Sequence, residues 1–197
     1  MGGSATACLD WMVVIMENLS KEELGADGNS DYCSCGHLFC SCAPGVKAHK
    51  GHNRIILMDL NVALSSNFKD MRKYSFETFV KEVEEYRDWM VDLLRSEYVI
   101  LITARNIKWG VHTLDRIHKL TNWVPNEALF NDTGISGSEA PLIKKTQFIE
   151  KVIPRHGDYL GKYYAIESNP RTREMYASIG VQAFDCEREG KWDRLPF

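Results

Sequence analysis

No stretch of this chain approaches the roughly 20 apolar residues that a bilayer span requires. Hydropathy therefore excludes a transmembrane helix. Positive charge is not in surplus either. Lysine and arginine total 24 against 27 aspartate and glutamate, a formal net charge of −3. A global electrostatic pull toward nucleic acid is excluded, and any phosphate recognition must be local. The opening stretch MGGSATACLDWMVVIMENL has a short apolar patch with no basic residue before it. It makes a poor secretory signal, so a cytoplasmic location is expected. There is no internal repeat and no low-complexity tract. Residues 25 to 53 lack apolar periodicity and are rich in Gly, Ser, Asn, Asp, Cys and His. Such a segment is loop unless something staples it.

The 197 residues are 44% hydrophobic and 26% charged, the composition of a globular protein. That length suits one domain with a small appendage. The boundary is expected near residue 52, giving an arm over 1–52 and a domain over 53–197. In the arm, Leu9, Met12, Val13, Ile15, Met16 and Leu19 have the spacing of one amphipathic helix over residues 8–24. Four of the six cysteines lie in CSCGHLFCSC: Cys33, Cys35, Cys40 and Cys42. In a cytosolic chain such a cluster suggests metal before disulfides. Thiolates with histidine suit four-coordinate Zn²⁺. The two C-x-C pairs are tighter than the usual C-x-x-C. His37, His49 and His52 are candidates to replace one or two thiolates. The expectation is one structural zinc, with redox pairs or inert thiols as the alternatives. The arm would staple its own loop or make a contact with a protein partner.

The domain is organised around RIILMDLNVAL, residues 54 to 64. Ile55 to Met58 form an apolar run typical of a strand buried on both faces of a parallel sheet. It ends in Asp59, where open α/β sheets bind ligands. Alone, Asp59 is as well read as the cap of a turn. Residues 65–74 read as a polar loop. Ser75 then N-caps a long helix whose apolar positions run from Phe76 to Leu94. Tyr98 to Ile102 are a second strand, ending in Thr103, Ala104 and Arg105. A helix follows with Trp109, Leu114, Ile117 and Leu120 inward. Ala128 to Phe130 are a third strand and 131–141 a loop. Residues 142–153 are a helix closed by Pro154. Tyr163 to Ile166 are a fourth strand, ending in Glu167, Ser168 and Asn169. Pro170 opens a helix that stops at Gly180, and Val181 to Phe184 are the fifth strand. Alternating strands and helices predict an α/β, three-layer fold with a parallel sheet.

The strand ends carry chemistry. Asp59, Thr103, Arg105, Lys144 and Glu167 make a carboxylate nucleophile, a hydroxyl, two cations and a second carboxylate. The cations and hydroxyl would hold a phosphoryl group. The carboxylates would hold Mg²⁺ through oxygen. Each residue alone has a plainer reading: a surface ion pair for Arg105, a solvated helix face for Lys144 and Lys145, a helix cap for Glu167. Their shared position at one sheet edge is what ties them together.

This order resembles the haloacid-dehalogenase superfamily over residues 54–184. That family has Asp-x-Asp after strand one, Thr or Ser after strand two, then a Lys, then an acidic group after strand four. Within it the chain is most similar to the 3′-phosphatase domain of bacteriophage polynucleotide kinase. Thr103-Ala104-Arg105, LIKKTQFIEKVIP and AIESNPRTREMYASIGV carry that likeness. The resemblance implies a Rossmann-like sandwich with little or no cap and a Mg²⁺-dependent phosphohydrolase acting on a phosphomonoester. A nucleic-acid 3′-phosphate or a nucleotide is the implied substrate class. The implied magnesium ligands are Asp59, the Asn61 backbone carbonyl, Glu167 and Asn169. Two departures matter. Asn61 stands where the family has its acid/base aspartate, and an amide has no proton of usable pKa. Ser168 stands where the family has a second acidic residue, so metal affinity should fall. The alternative reading is an inactive phosphatase fold that binds a protein or nucleic-acid partner.

Overall fold

The computed structural model describes residues 53–186 and 191–197. The expected 8–24 helix, the cysteine cluster and its zinc lie outside them. Chain contacts divide the molecule into Met1–Ala48 and His49–Phe197. All the described residues belong to the second unit.

Five strands form one sheet in the order β3-β2-β1-β4-β5, every neighbouring pair parallel. They are β1 (Ile55–Met58), β2 (Tyr98–Asn106), β3 (Glu127–Asn131), β4 (Tyr163–Ile166) and β5 (Gln182–Phe184). β1 is central and all four of its residues are buried, as its unbroken apolar run requires. Ile55 pairs with Tyr98 on one side and Tyr163 on the other. The core on one face gathers Ile55, Leu57, Ile100, Ile102, Phe148 and Tyr163. Burying each such side chain is worth about 1.5–3 kcal/mol. The chain lays down β1, β2 and β3 to one side, then β4 and β5 to the other. The order therefore reverses between β1 and β4, which opens a crevice at their carboxyl ends. Among the described residues no helix is long and apolar enough to cross a membrane.

The helices depart from expectation in instructive places. The long helix over 76–94 is broken. Ser75 Oγ does accept from Thr78 N at 3.1 Å, as an N-cap should. Phe76–Thr78 then runs into Phe79–Val83, together α1, and the chain leaves the helix at Glu84 (ψ 132°). It resumes as α2, Asp88–Leu94. In the gap, Ser65 and Tyr86 form an antiparallel bridge, flanked by Ser66 N to Glu85 O (2.9 Å) and Arg87 N to Leu64 O (3.0 Å). Those bonds replace the helical ones and turn Glu84 inward. In α3 (Gly110–Thr121), Leu114 and Ile117 are buried as expected, but Leu120 is exposed.

Pro154 does not close its helix. Ala140–Gln147, Phe148–Val152 and Ile153–His156 form one continuous element, α4. The middle segment is a wide π-type turn. It loosens the hydrogen-bond ladder just where proline brings no N–H and would crowd the preceding turn. The helix stops instead at Gly157, whose φ of +90° suits only glycine. The last helix, α5 (Pro170–Ser178), starts at its proline as expected.

Glu127, at the start of β3, is buried. It accepts from Arg155 Nη1 (2.7 Å) and Tyr98 Oη (2.8 Å) and meets His156 Nε2 at 2.5 Å. Burial disfavours its charged form, but His156 and Arg155 more than offset that and hold the carboxyl below the ordinary glutamate value. A depressed carboxyl contributes stability that is full above the unfolded pKa and lost as pH falls through the folded one. Glu127→Gln is expected to cost about 1–3 kcal/mol at neutral pH. The gap to wild type should narrow in urea melts below about pH 4.5. A gap that stays constant into acid would contradict this.

Candidate active site

β1 holds Asp59 in the sheet: its N–H donates to Ile166 O of β4 at 2.9 Å. The chain then turns sharply through Leu60–Leu64, with Asn61 extended and Val62 at φ +67°. A β-branched residue there carries strain of about 1–3 kcal/mol. The turn is held from outside. Arg87 donates to Val62 O (3.0 Å) and Ala63 O (2.9 Å), and Ser65 N donates to Leu60 O (2.8 Å). This geometry places the Asn61 carbonyl beside Asp59. Ser168 Oγ lies 3.1 Å from Asn61 O and 3.3 Å from Asp59 Oδ2.

Lys144 reaches the same point from α4. Its side chain is fully buried, and Nζ donates to Asp59 Oδ1 and Glu167 Oε2, each at 2.5 Å. Burial works against the ammonium, but the two carboxylates outweigh it and raise Lys144 above the ordinary lysine value. Glu167 follows β4, and its N–H donates to Phe184 O of β5. Burial and the Asp59 charge push its carboxyl up to about 7, with Lys144 opposing. Its second oxygen accepts from Asn169 N at 2.9 Å. Arg173 binds the Glu167 and Ser168 carbonyls (2.9 and 2.7 Å) and fixes this loop.

Thr103 and Arg105 lie within β2, which runs on to Asn106, with its register against β3 shifting past Ile102. Thr103 is buried, and its hydroxyl accepts from Arg105 N at 3.2 Å. The Arg105 guanidinium makes a two-pronged pair with Glu84 (2.6 and 2.7 Å), both side chains fully buried. It also donates to Thr113 Oγ1 and to Asn61 Oδ1, each at 2.9 Å. Those donors are committed inside the protein. The structure thus gathers Asp59, Lys144, Glu167, Ser168 and the Asn61 carbonyl at one point, and ties Arg105 to them through the Asn61 amide. With Oδ1 taken, Asn61 keeps its NH₂ as its free hydrogen-bonding end.

Glu84 is the participant that sequence reasoning missed. Val83-Glu84-Glu85-Tyr86 has neither glycine nor proline to signal the helix break that buries it. Cys186, the cysteine among the described residues, is buried as well. Burial and nearby Asp59 push its thiol up to about 12, which leaves it unreactive.

A cleft of about 580 Å³ opens beside Asn61, walled by Phe68, Phe76, Arg105, Trp109 and the Gly134–Gly137 loop. A second hollow of about 520 Å³ lies beside Glu174, Ala177 and Val181. Asp59, Lys144 and Glu167 line neither hollow, and the first meets the site through Asn61. Among the described residues no group of three or more His, Cys, Asp and Glu side chains is gathered for a metal. What the site offers a cation is hard oxygen: Asp59 Oδ2 and the Asn61 carbonyl, converging on the Ser168 hydroxyl. Glu167 is occupied by Lys144 and Asn169 N, and Asn169 Oδ1 caps α5 through Arg171 N at 3.0 Å.

No protein-family model and no curated protein matches this sequence. Fold and site together define an α/β protein whose parallel sheet carries a lysine-bridged carboxylate pair at its crevice.

Proposed function

We propose that the 53–197 domain is a phosphohydrolase of the haloacid-dehalogenase type, with Asp59 as the group that takes a phosphoryl from a phosphomonoester. The observation that carries this reading is the Lys144 ammonium bonded to both Asp59 and Glu167, where β1 and β4 diverge. A buried ion cluster of this kind is costly as mere scaffolding, and ligand sites of open α/β sheets fall at this place. Lys144 fixes the Asp59 carboxylate and sets positive charge beside the incoming phosphoryl. Glu167 fixes Lys144. The oxygen set at Asp59, Asn61 O and Ser168 suits Mg²⁺, which needs only one or two carboxylates and keeps several waters. When bound there, Mg²⁺ would neutralise charge on the phosphoryl oxygens.

Asn61 limits the chemistry. It gives the leaving oxygen no proton, and it gives the hydrolytic water no base. An aspartyl-phosphate formed on Asp59 should therefore persist. With p-nitrophenyl phosphate and Mg²⁺, stopped-flow absorbance is expected to show a burst approaching one nitrophenolate per chain, then a slow steady rate. Asp59→Asn should remove both phases. A linear trace unaffected by Asp59→Asn would overturn the reading.

One observation favours a second reading, a phosphatase fold that binds a partner without turnover. Arg105, the expected phosphate clamp, is closed on Glu84. Absence of any burst, with phosphate still bound, would select that reading.

A further inference from the structure

Asn61 forms part of the aromatic-walled cleft and carries no proton to give. Its Oδ1 is held by Arg105, so the most it can offer a departing oxygen is an amide N–H. The neighbouring cation is committed elsewhere: both terminal nitrogens of Arg105 are taken by Glu84, Thr113 and Asn61, and its Nε is buried. A leaving group on this side must therefore depart as a stable anion. The cleft itself selects for shape. Phe68, Phe76 and Trp109 line it, and the Phe76 and Trp109 rings meet edge to face at 5.3 Å. Its volume of about 580 Å³ admits a ring with substituents.

We propose that this cleft is the subsite for the aryl group of a phosphomonoester, so that the substrate class is an aryl phosphate such as a phosphotyrosyl side chain. The proposal rests on the phosphohydrolase reading above. A phenol has a pKa of about 10. An alkanol is about as weak an acid as water, near 16. A phenolate thus leaves without general-acid help, whereas a sugar or serine alkoxide does not. In the first step an Asp59 carboxylate oxygen forms a bond to phosphorus as the phosphorus–aryl oxygen bond breaks. The electron pair leaves on the phenolate, which takes a proton from solvent. In the second step water attacks phosphorus and the bond to Asp59 breaks. The carboxylate is restored, phosphate departs, and the proton of the water passes to solvent. Flat aromatic walls hold the ring by stacking or edge contact, while the Asn61 NH₂ steadies the ester oxygen.

The test compares kcat/KM of the full chain with Mg²⁺ on four probes. Phenyl phosphate has the ring and a good leaving group. Acetyl phosphate has a good leaving group and no ring. A deoxynucleoside 3′-monophosphate has an alkoxide leaving group. A phosphotyrosyl peptide, run beside free O-phosphotyrosine, distinguishes a polypeptide source from the small molecule. Phenyl phosphate is expected to exceed the nucleotide by at least about 10²-fold, the usual worth of the missing acid. Trp109→Ala should lower the phenyl-to-acetyl ratio by about tenfold, and Trp109→Phe should restore most of it. Equal turnover of phenyl phosphate and the nucleotide would overturn the proposal. So would Asp59-dependent acetyl phosphate turnover with a phenyl-to-acetyl ratio indifferent to Trp109. In both cases the phosphohydrolase reading survives. Failure on all probes would sink the two together.

Discussion

Asn61→Asp is expected to raise steady-state turnover by about 10²–10⁴-fold, the range that a positioned acid or base supplies. The structure says which step gains most. The new carboxylate would occupy the amide's place, where Asn61 Oδ1 now lies 2.9 Å from Arg105 Nη2. A guanidinium that close favours the ionised form of a carboxyl. The variant should therefore be a better base than acid. Hydrolysis of the aspartyl-phosphate should speed up more than its formation. The burst would shrink as the steady rate climbs toward it, and alkyl phosphates would gain less than aryl ones. Stopped-flow traces on p-nitrophenyl phosphate, wild type against Asn61→Asp, separate the two phases. An unchanged steady rate would mean that water activation does not run through this position.

Lys144→Met should be the most destabilising single change at the site. It leaves Asp59 and Glu167 buried on either side of a vacated ammonium. Removing one partner of a buried ionic cluster costs about 3–5 kcal/mol. For a domain of this size that is a fall of roughly 6–20 °C in Tm. Two checks separate lost charge pairing from lost packing. Glu167, pushed up to about 7 even beside Lys144, rises further without it and goes neutral, which leaves Asp59 as the stranded charge. Adding Asp59→Asn should therefore recover part of the deficit. Lowering the pH should also shrink it, because a carboxyl that gains a proton no longer needs the partner it has lost. A calorimetric deficit that is pH-independent and unmoved by Asp59→Asn would assign the loss to packing alone.

Much of this architecture was legible because strands buried on both faces declare themselves. Ile55–Met58 and Tyr163–Ile166 are apolar runs that read the same in sequence and structure, and Tyr98–Ile102 is the apolar part of a strand that runs on to Asn106. The parallel sheet and the convergence of Asp59, Lys144 and Glu167 follow from them. The long helix failed because periodicity cannot see a competing partner. Apolar spacing continues unbroken from Phe76 to Leu94, yet the Ser65–Tyr86 bridge and the Glu84–Arg105 pair outweigh the helical bonds given up there. Pro154 misled for a similar reason, since a widened turn upstream makes room for it. Arg105 shows the limit for site residues. Its place at the carboxyl end of the second strand was visible, but not that β2 runs on through it to Asn106, nor that Glu84, a residue 21 positions earlier, takes its guanidinium.

The central claim is that Asp59 accepts a phosphoryl group, and the most direct measurement is to find it there. The full chain, mixed with p-nitrophenyl phosphate and Mg²⁺ and quenched in acid within the burst, should carry one phosphoryl. Peptide mass spectrometry should place that group on Asp59, and Asp59→Asn should carry none. Nitrophenolate release without a phosphorylated Asp59 peptide, or a phosphoryl mapped to another residue, would contradict it.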